Sequence, residues 1–207
     1  MKIYDLSVYI HSKMLKWPTD PEIDIVSFSS IKNGDKANLS FLKFGSHTGT
    51  HIDAPYHFNL QGKTVDKLNL YDLIGEVLVV EVNSNKITTK EIKNIDFNKY
   101  KRIIFKTKNS KLIKCRKFNP EYVYLDYSAA KLLIKNKIRV VGIDYLSIEK
   151  FDSKEHKIHK LLTENNVIII ETLDLNKVIA GEYFLVALPI KIRNCDAAPA
   201  RVVLIKF

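Results

Sequence analysis

Cysteine, tryptophan, proline and glycine are all scarce in this chain: two, one, six and seven of 207 residues. Two cysteines, Cys115 and Cys195, cannot staple a disulfide-dependent secreted scaffold, so both read as reduced thiols. With so little proline and glycine, no linker rich in Pro, Gly or Ser divides the chain, and one domain over residues 1–207 is expected. No apolar run reaches the roughly 18 residues of a membrane-spanning helix, which leaves no membrane partner expected. The first residues run straight into a strand-like segment, residues 3–10, without the apolar core or cleavage site of a signal peptide. A cytoplasmic location is the expectation. Acidic residues are also short, 23 against 33 Lys and Arg, for a net charge of +10. The excess is mostly lysine, dispersed over residues 86–160 without a nucleic-acid-binding module. It reads as a solvated surface, with no nucleic-acid partner expected.

What the chain does have is short apolar segments rich in Val, Ile and Phe. Residues 23–31, 39–44, 76–82, 102–107, 140–143, 167–170, 183–188 and 201–207 each read as a buried or half-buried strand. Three helices fit between them. Thr88 or Thr89 caps one running to about Asn94, and Ser128 caps one over residues 129–135 with Ala130, Leu133 and Ile134 on its apolar face. The third starts near Ser153 and closes at Asn165-Asn166. Residues 128–143 and 153–170 are therefore helix-then-strand units, which predicts an α/β domain with parallel pairing in a strand-rich sheet.

The chemistry concentrates in His47-Thr48-Gly49-Thr50-His51-Ile52-Asp53-Ala54-Pro55-Tyr56-His57-Phe58. Three of the six histidines and one aspartate fall within eleven residues. Imidazole and carboxylate suit zinc, manganese or iron. Gly49 permits a sharp turn and Pro55 stiffens the exit, so His47, His51 and Asp53 can converge on one ion. Elsewhere, His159 on the third helix and Glu171 at the end of the following strand can meet at one sheet edge, where open α/β sheets bind ligands. His156, one turn earlier, competes for that role.

These residues carry a resemblance. The segment from His47 to Phe58 resembles the metal-binding signature of the cyclase-like family of metal-dependent hydrolases, which includes bacterial kynurenine formamidases and isatin hydrolases. Every fixed position of that signature is matched. Trp17-Pro18-Thr19-Asp20-Pro21 is similar to the family's Trp-Pro-Gly-Asp segment, with Thr19 in place of Gly. Gly142-Ile143-Asp144 with Ser147 resembles its Gly-Ile-Asp-Thr-Pro-Ser segment, although Tyr145-Leu146 replaces Thr-Pro. Asp196-Ala197-Ala198-Pro199-Ala200-Arg201 is similar to its closing segment.

The resemblance implies a swivelling β/β/α domain on a mixed sheet. It implies two divalent ions per subunit, zinc first and manganese next. His47, His51 and Asp53 would hold one ion, with Asp53 bridging to a second held by His159 and Glu171. His57 would be the general acid/base, and Trp17 and Ser147 would meet substrate. Phe44, Tyr56 and Phe58 read as core, with a pocket wall as the alternative. The implied activity is hydrolysis of a small amide, led by N-formylkynurenine, by a homodimer or homotetramer. Isatin or another cyclic amide or lactone is the alternative substrate. A non-catalytic metal- or nucleic-acid-binding protein is the alternative of a different class.

Overall fold

The computed structural model describes residues 1–115 and 117–207. Its twelve strands are β1 Lys2–Asp5, β2 Asp24–Ser29, β3 Leu39–Lys43, β4 His51–Asp53, β5 Ile74–Glu81 and β6 Lys86–Ile87, then β7 Arg102–Lys106, β8 Tyr124–Leu125, β9 Val140–Ile143, β10 Ile168–Glu171, β11 Gly181–Pro189 and β12 Ala197–Lys206. The helices are α1 Leu70–Leu73, α2 Thr89–Ile92, α3 Asn109–Leu112, α4 Tyr127–Lys135 and α5 Lys157–Glu164. Among the described residues, no helix is long and apolar enough to cross a membrane.

The main sheet is mixed, as expected, and it closes on itself. Strands β5, β7, β9 and β10 run parallel, and β11 and β12 continue antiparallel from β5. Strand β4 pairs antiparallel with both β10 and β12, which turns seven strands into a barrel. β1 adds to β12 outside the ring. The open sheet edge expected for Glu171 is thus a closed one. A three-residue strand fills the gap that an open sheet would leave beside β10.

The parallel strands explain their own sequences. Every residue of β9 and β10 is buried, so both read as continuous apolar runs. Alternate side chains enter two cores. Ile103, Phe105, Val141, Ile143 and Ile169 meet the helices through Leu133, Ile158 and Leu162. Ile104, Val140, Ile168 and Ile170 point the other way, to Ile52, Leu185, Val202 and Leu204.

The three expected helices are present, two of them with different starts. Thr88 caps α2 in a full capping box with Glu91, but that helix ends at Ile92. α4 is capped by Asp126, which accepts from Ser128 N–H at 2.9 Å, so the cap lies two residues before Ser128. α5 starts at Lys157 rather than near Ser153. The Ser153 hydroxyl is drawn to Glu149 Oε1 at 2.7 Å, and His156 is left-handed at φ 49°.

Residues 23–31 and 39–44 are the larger correction. They form a two-stranded hairpin apart from the barrel, exposed along almost its whole length. Phe28 is 75% exposed, and Val26, Leu39, Phe41 and Leu42 are each more than half exposed. Their composition matches a buried strand, but nothing among the described residues covers them.

One glycine ties the fold to the 47–57 segment. A Cβ on Gly62 would lie 2.5 Å from the carbonyl carbon of Pro55 and 2.7 Å from the backbone nitrogen of Tyr56. Gly62→Ala is expected to push this turn off the backbone that carries His57, at a cost of about 1–3 kcal/mol, typical of overpacking. Urea unfolding of the variant against the parent measures it.

Candidate metal centre

Gly49 adopts the left-handed conformation at φ 69° and turns the chain into β4. His51 and Asp53, two apart on a strand, project to the same side, while Ile52 goes into the barrel core. Pairing in register with β10 places His51 opposite Glu171. Pro55–His57 then forms a short 3-10 turn that brings His57 back over the same spot. The rings of His47 and His57 lie 4.1 Å apart between centroids.

The five residues named as possible ligands come together. His47 Nδ1 lies 2.9 Å from Asp53 Oδ1, and His51 Nε2 lies 3.3 Å from the same oxygen. Glu171 offers Oε2 at 3.6 Å from His51 Nε2 and Oε1 at 3.4 Å from His159 Nε2. His47, His51 and Asp53 form one group with metal-binding spacing, and Asp53, His159 and Glu171 form another. Asp53 belongs to both. His156, the competitor to His159, is half exposed and approaches Glu149 only to 4.0 Å.

Hydrogen bonding decides which atoms face inward. His51 Nδ1 sits 2.9 Å from the Gly49 carbonyl and donates to it. A neutral imidazole has one donor and one acceptor, so in the neutral ring that a metal ion would bind His51 Nε2 is the lone pair. That atom and both carboxylate oxygens of Asp53 are buried without a partner of hydrogen-bonding geometry. Buried polar atoms normally have partners. Three unpartnered ligand-type atoms around one point fit a cation, and the N and O donors suit zinc or manganese.

The charge balance agrees. Burial alone would lower the pKa of His51, but Asp53 and Glu171 outweigh it and raise it to about 10. Burial likewise opposes the rise of His159 to about 10, driven by Glu149 and Glu171. Asp53 is held well below the usual carboxylate range, because His47, His57 and His51 overcome its burial. The cluster demands positive charge, supplied by protons or by a metal ion.

The cavity in front of the cluster, about 240 Å³, is lined by Trp17, Asp20, His57, Phe58, Ser147 and Phe151 among others. Trp17 packs at 5.4 Å against both Phe118 and Phe151. Phe58, read as core, is instead a wall of this cavity, 4.8 Å from the His159 ring. Leu146 also lines it, whereas its neighbour Tyr145 is buried. Asp144 takes a structural part: it accepts from the backbone and hydroxyl groups of Thr107 and Ser110 at 2.6–3.0 Å.

Two carboxylates at the site escaped the sequence reading. Asp196 Oδ2 lies 2.8 Å from His47 Nε2 and 3.5 Å from His57 Nδ1. Those two histidines hold its carboxyl far below the usual range. Glu149 contacts His159. Asp196 opens the closing segment of the family resemblance and Glu149 lies two residues past Ser147, and that proximity was the only available signal.

A cation at this cluster binds the folded chain only, so saturating zinc should raise the unfolding temperature. The gain should be about 4 kcal/mol at a thousandfold excess over the dissociation constant. Asp53→Asn should lose most of it in thermal-shift measurements with and without zinc. A parent protein that does not respond to zinc or manganese would remove the case for a metal.

The geometry agrees with what known proteins show. The sequence profile of the Cyclase family matches residues 4–150. A kynurenine formamidase of Bacillus cereus is 32% identical over 202 residues, covering 97% of this chain and 95% of the relative. A solved structure described as a potential metal-dependent hydrolase with cyclase activity is 37% identical, with a TM-score of 0.84 over 98% of this chain and 96% of that one. An isatin hydrolase bound to the product analogue thioisatinate shares the fold at 20% identity, TM-score 0.84, covering 98% and 91%. Matched along nearly its full length by a relative above 30% identity, and over most of it by the family profile, the chain belongs to the Cyclase family.

Proposed function

We propose that this chain is a metal-dependent hydrolase of a small amide, with N-formylkynurenine, cleaved to kynurenine and formate, as the leading substrate. The observation that carries this reading is the buried carboxylate of Asp53, unpartnered and shared by two ligand groups. His47, His51 and Asp53 would hold one ion, and Asp53, His159 and Glu171 a second. Zinc is the expected metal and manganese the next. A divalent ion there supplies a more acidic water and polarises the amide carbonyl.

The rest falls to the chain's own groups. His57 turns Nδ1 toward Asp196, so Nε2 is free to exchange protons with the reactants. It takes a proton from the attacking water and returns it to the leaving nitrogen. Trp17, Phe58 and Phe151 give the cavity an aromatic wall that suits an aryl amide, and Ser147 adds a hydroxyl to its lining. The kynurenine formamidase relatives support this substrate. The isatin hydrolase likeness supports only the fold, so isatin serves as the comparison substrate. Two free cysteines suit a reducing, cytoplasmic setting.

Purified protein loaded with zinc or manganese should hydrolyse N-formylkynurenine in preference to isatin. Turnover of neither would sink the proposal. His57→Ala should keep its metal by elemental analysis and lose about 10²–10⁴-fold in kcat. Wild-type turnover in that variant would remove His57 from the mechanism.

Self-association, as homodimer or homotetramer, is part of the same proposal. The uncovered apolar hairpin supports it, since a monomer rarely leaves such a patch to water. Light scattering should give a mass above 23.9 kDa, and Phe28→Asp with Phe41→Asp should shift it toward the monomer.

A further inference from the structure

The loop of residues 147–149, between β9 and α5, lies behind two of the three groups assigned above to the second ion, His159 and Glu171. Ile148 N–H donates to Glu171 Oε1 at 2.7 Å. Glu149, the next residue, is 2% exposed. Its carboxylate is filled by four donors. Oε1 accepts from Ser153 Oγ at 2.7 Å and Ile158 N–H at 3.0 Å. Oε2 accepts from His159 N–H at 3.3 Å and from His159 Nδ1 at 2.7 Å. The backbone of Glu149 is fixed as well, because its N–H meets Ser147 Oγ at 3.2 Å and its carbonyl accepts from the Tyr122 hydroxyl.

This carboxylate does two jobs at once. α5 has no side-chain cap of its own, because His156 is left-handed and makes none. Glu149 takes the first-turn N–H groups in its place, reaching from a different segment. A helix cap would need nothing more. Yet the oxygen that binds the His159 backbone N–H also binds its ring, so the ring is locked against the first turn of the helix. A carboxylate with four donors can only accept, which requires a proton on Nδ1. In the neutral ring that a metal ion would bind, the other nitrogen, Nε2, then presents a lone pair toward Glu171 and Asp53.

We propose that Glu149 is the positioning residue for His159, fixing its Nδ1–H tautomer and ring orientation so that Nε2 is offered to a metal ion. The proposal rests on the reading of His159 as a ligand. Adjacent residues of one loop then orient two groups of that half-site, Glu171 through a backbone N–H and His159 through a carboxylate. Outer-shell carboxylates on metal-bound histidines typically account for 10–100-fold in metal affinity.

The test is zinc affinity by chelator competition on the full chain, with ring nitrogen NMR of the zinc-loaded protein. Glu149→Gln keeps the shape and removes the charge. It should weaken the second zinc by about 10–100-fold, while Ser153→Ala, which touches Glu149 but not the ring, should change it by less than about threefold. In the zinc-loaded parent, His159 should show a protonated Nδ1 and a zinc-bound Nε2. This readout needs no variant and stands if Glu149→Gln fails to fold. Wild-type zinc affinity in Glu149→Gln, or zinc on Nδ1, would overturn the positioning role. His159→Ala separates the two readings: loss of one zinc upholds the ligand assignment whatever Glu149→Gln does, and retention of both overturns the ligand reading and the Glu149 proposal together.

Discussion

The structure depends on a carboxylate buried in the strand that closes the barrel. Asp53 is 1% exposed, at the end of a three-residue strand wedged between β10 and β12. Burying a lone carboxylate costs several kcal/mol unless opposite charge meets it. Three histidines come close enough to do so, all of them from the same eleven-residue segment. The alternation His51-Ile52-Asp53 therefore sets the register. A slip by one residue would send Ile52 into the charged cluster and drive Asp53 and His51 into the barrel core. Closing the barrel and building the site are one event.

The same constraint explains why the site draws on separated parts of the chain. Only β4 and the turn after it are local. Glu171 arrives by strand pairing, His159 by a helix folded onto that strand, and Asp196 from the loop before β12. Each group is held by a contact behind it. The Gly49 carbonyl holds His51, Ile148 N–H holds Glu171, and Glu149 holds His159. These supports sit in short loops, that of Glu149 pinned by its own backbone hydrogen bonds, which suits a site proposed to keep ligand atoms in place before an ion arrives. His57, the proposed acid/base, is less enclosed, its side chain about a quarter exposed, as a group that exchanges protons with substrate should be.

Much of this was legible in the chain. The signature from His47 to Phe58 names its own chemistry, because imidazole and carboxylate side chains are rarely clustered without a charge to bind. The helix-then-strand order around Leu133 and Ile158 leads directly to parallel pairing. The hairpin of β2 and β3 was not legible as exposed. Val26, Phe28, Phe41 and Leu42 have the composition of a core strand, and composition records a preference for burial without saying what does the burying. The start of α5 was missed for a related reason. Ser153 has the right chemistry for a cap, but its hydroxyl was recruited by Glu149, a contact with no local signature.

The sequence by itself determined the family, the ligand types and the alternation that turns His51 and Asp53 to one face. These follow from residue identity and backbone geometry within a few positions. Only the tertiary structure decided that the sheet closes, that Phe58 walls the cavity, and that Glu149 and Asp196 stand behind the histidines. Those outcomes rest on contacts between residues 10 to 149 positions apart. Their energies come from burial and charge compensation, and these exist only once the segments have met.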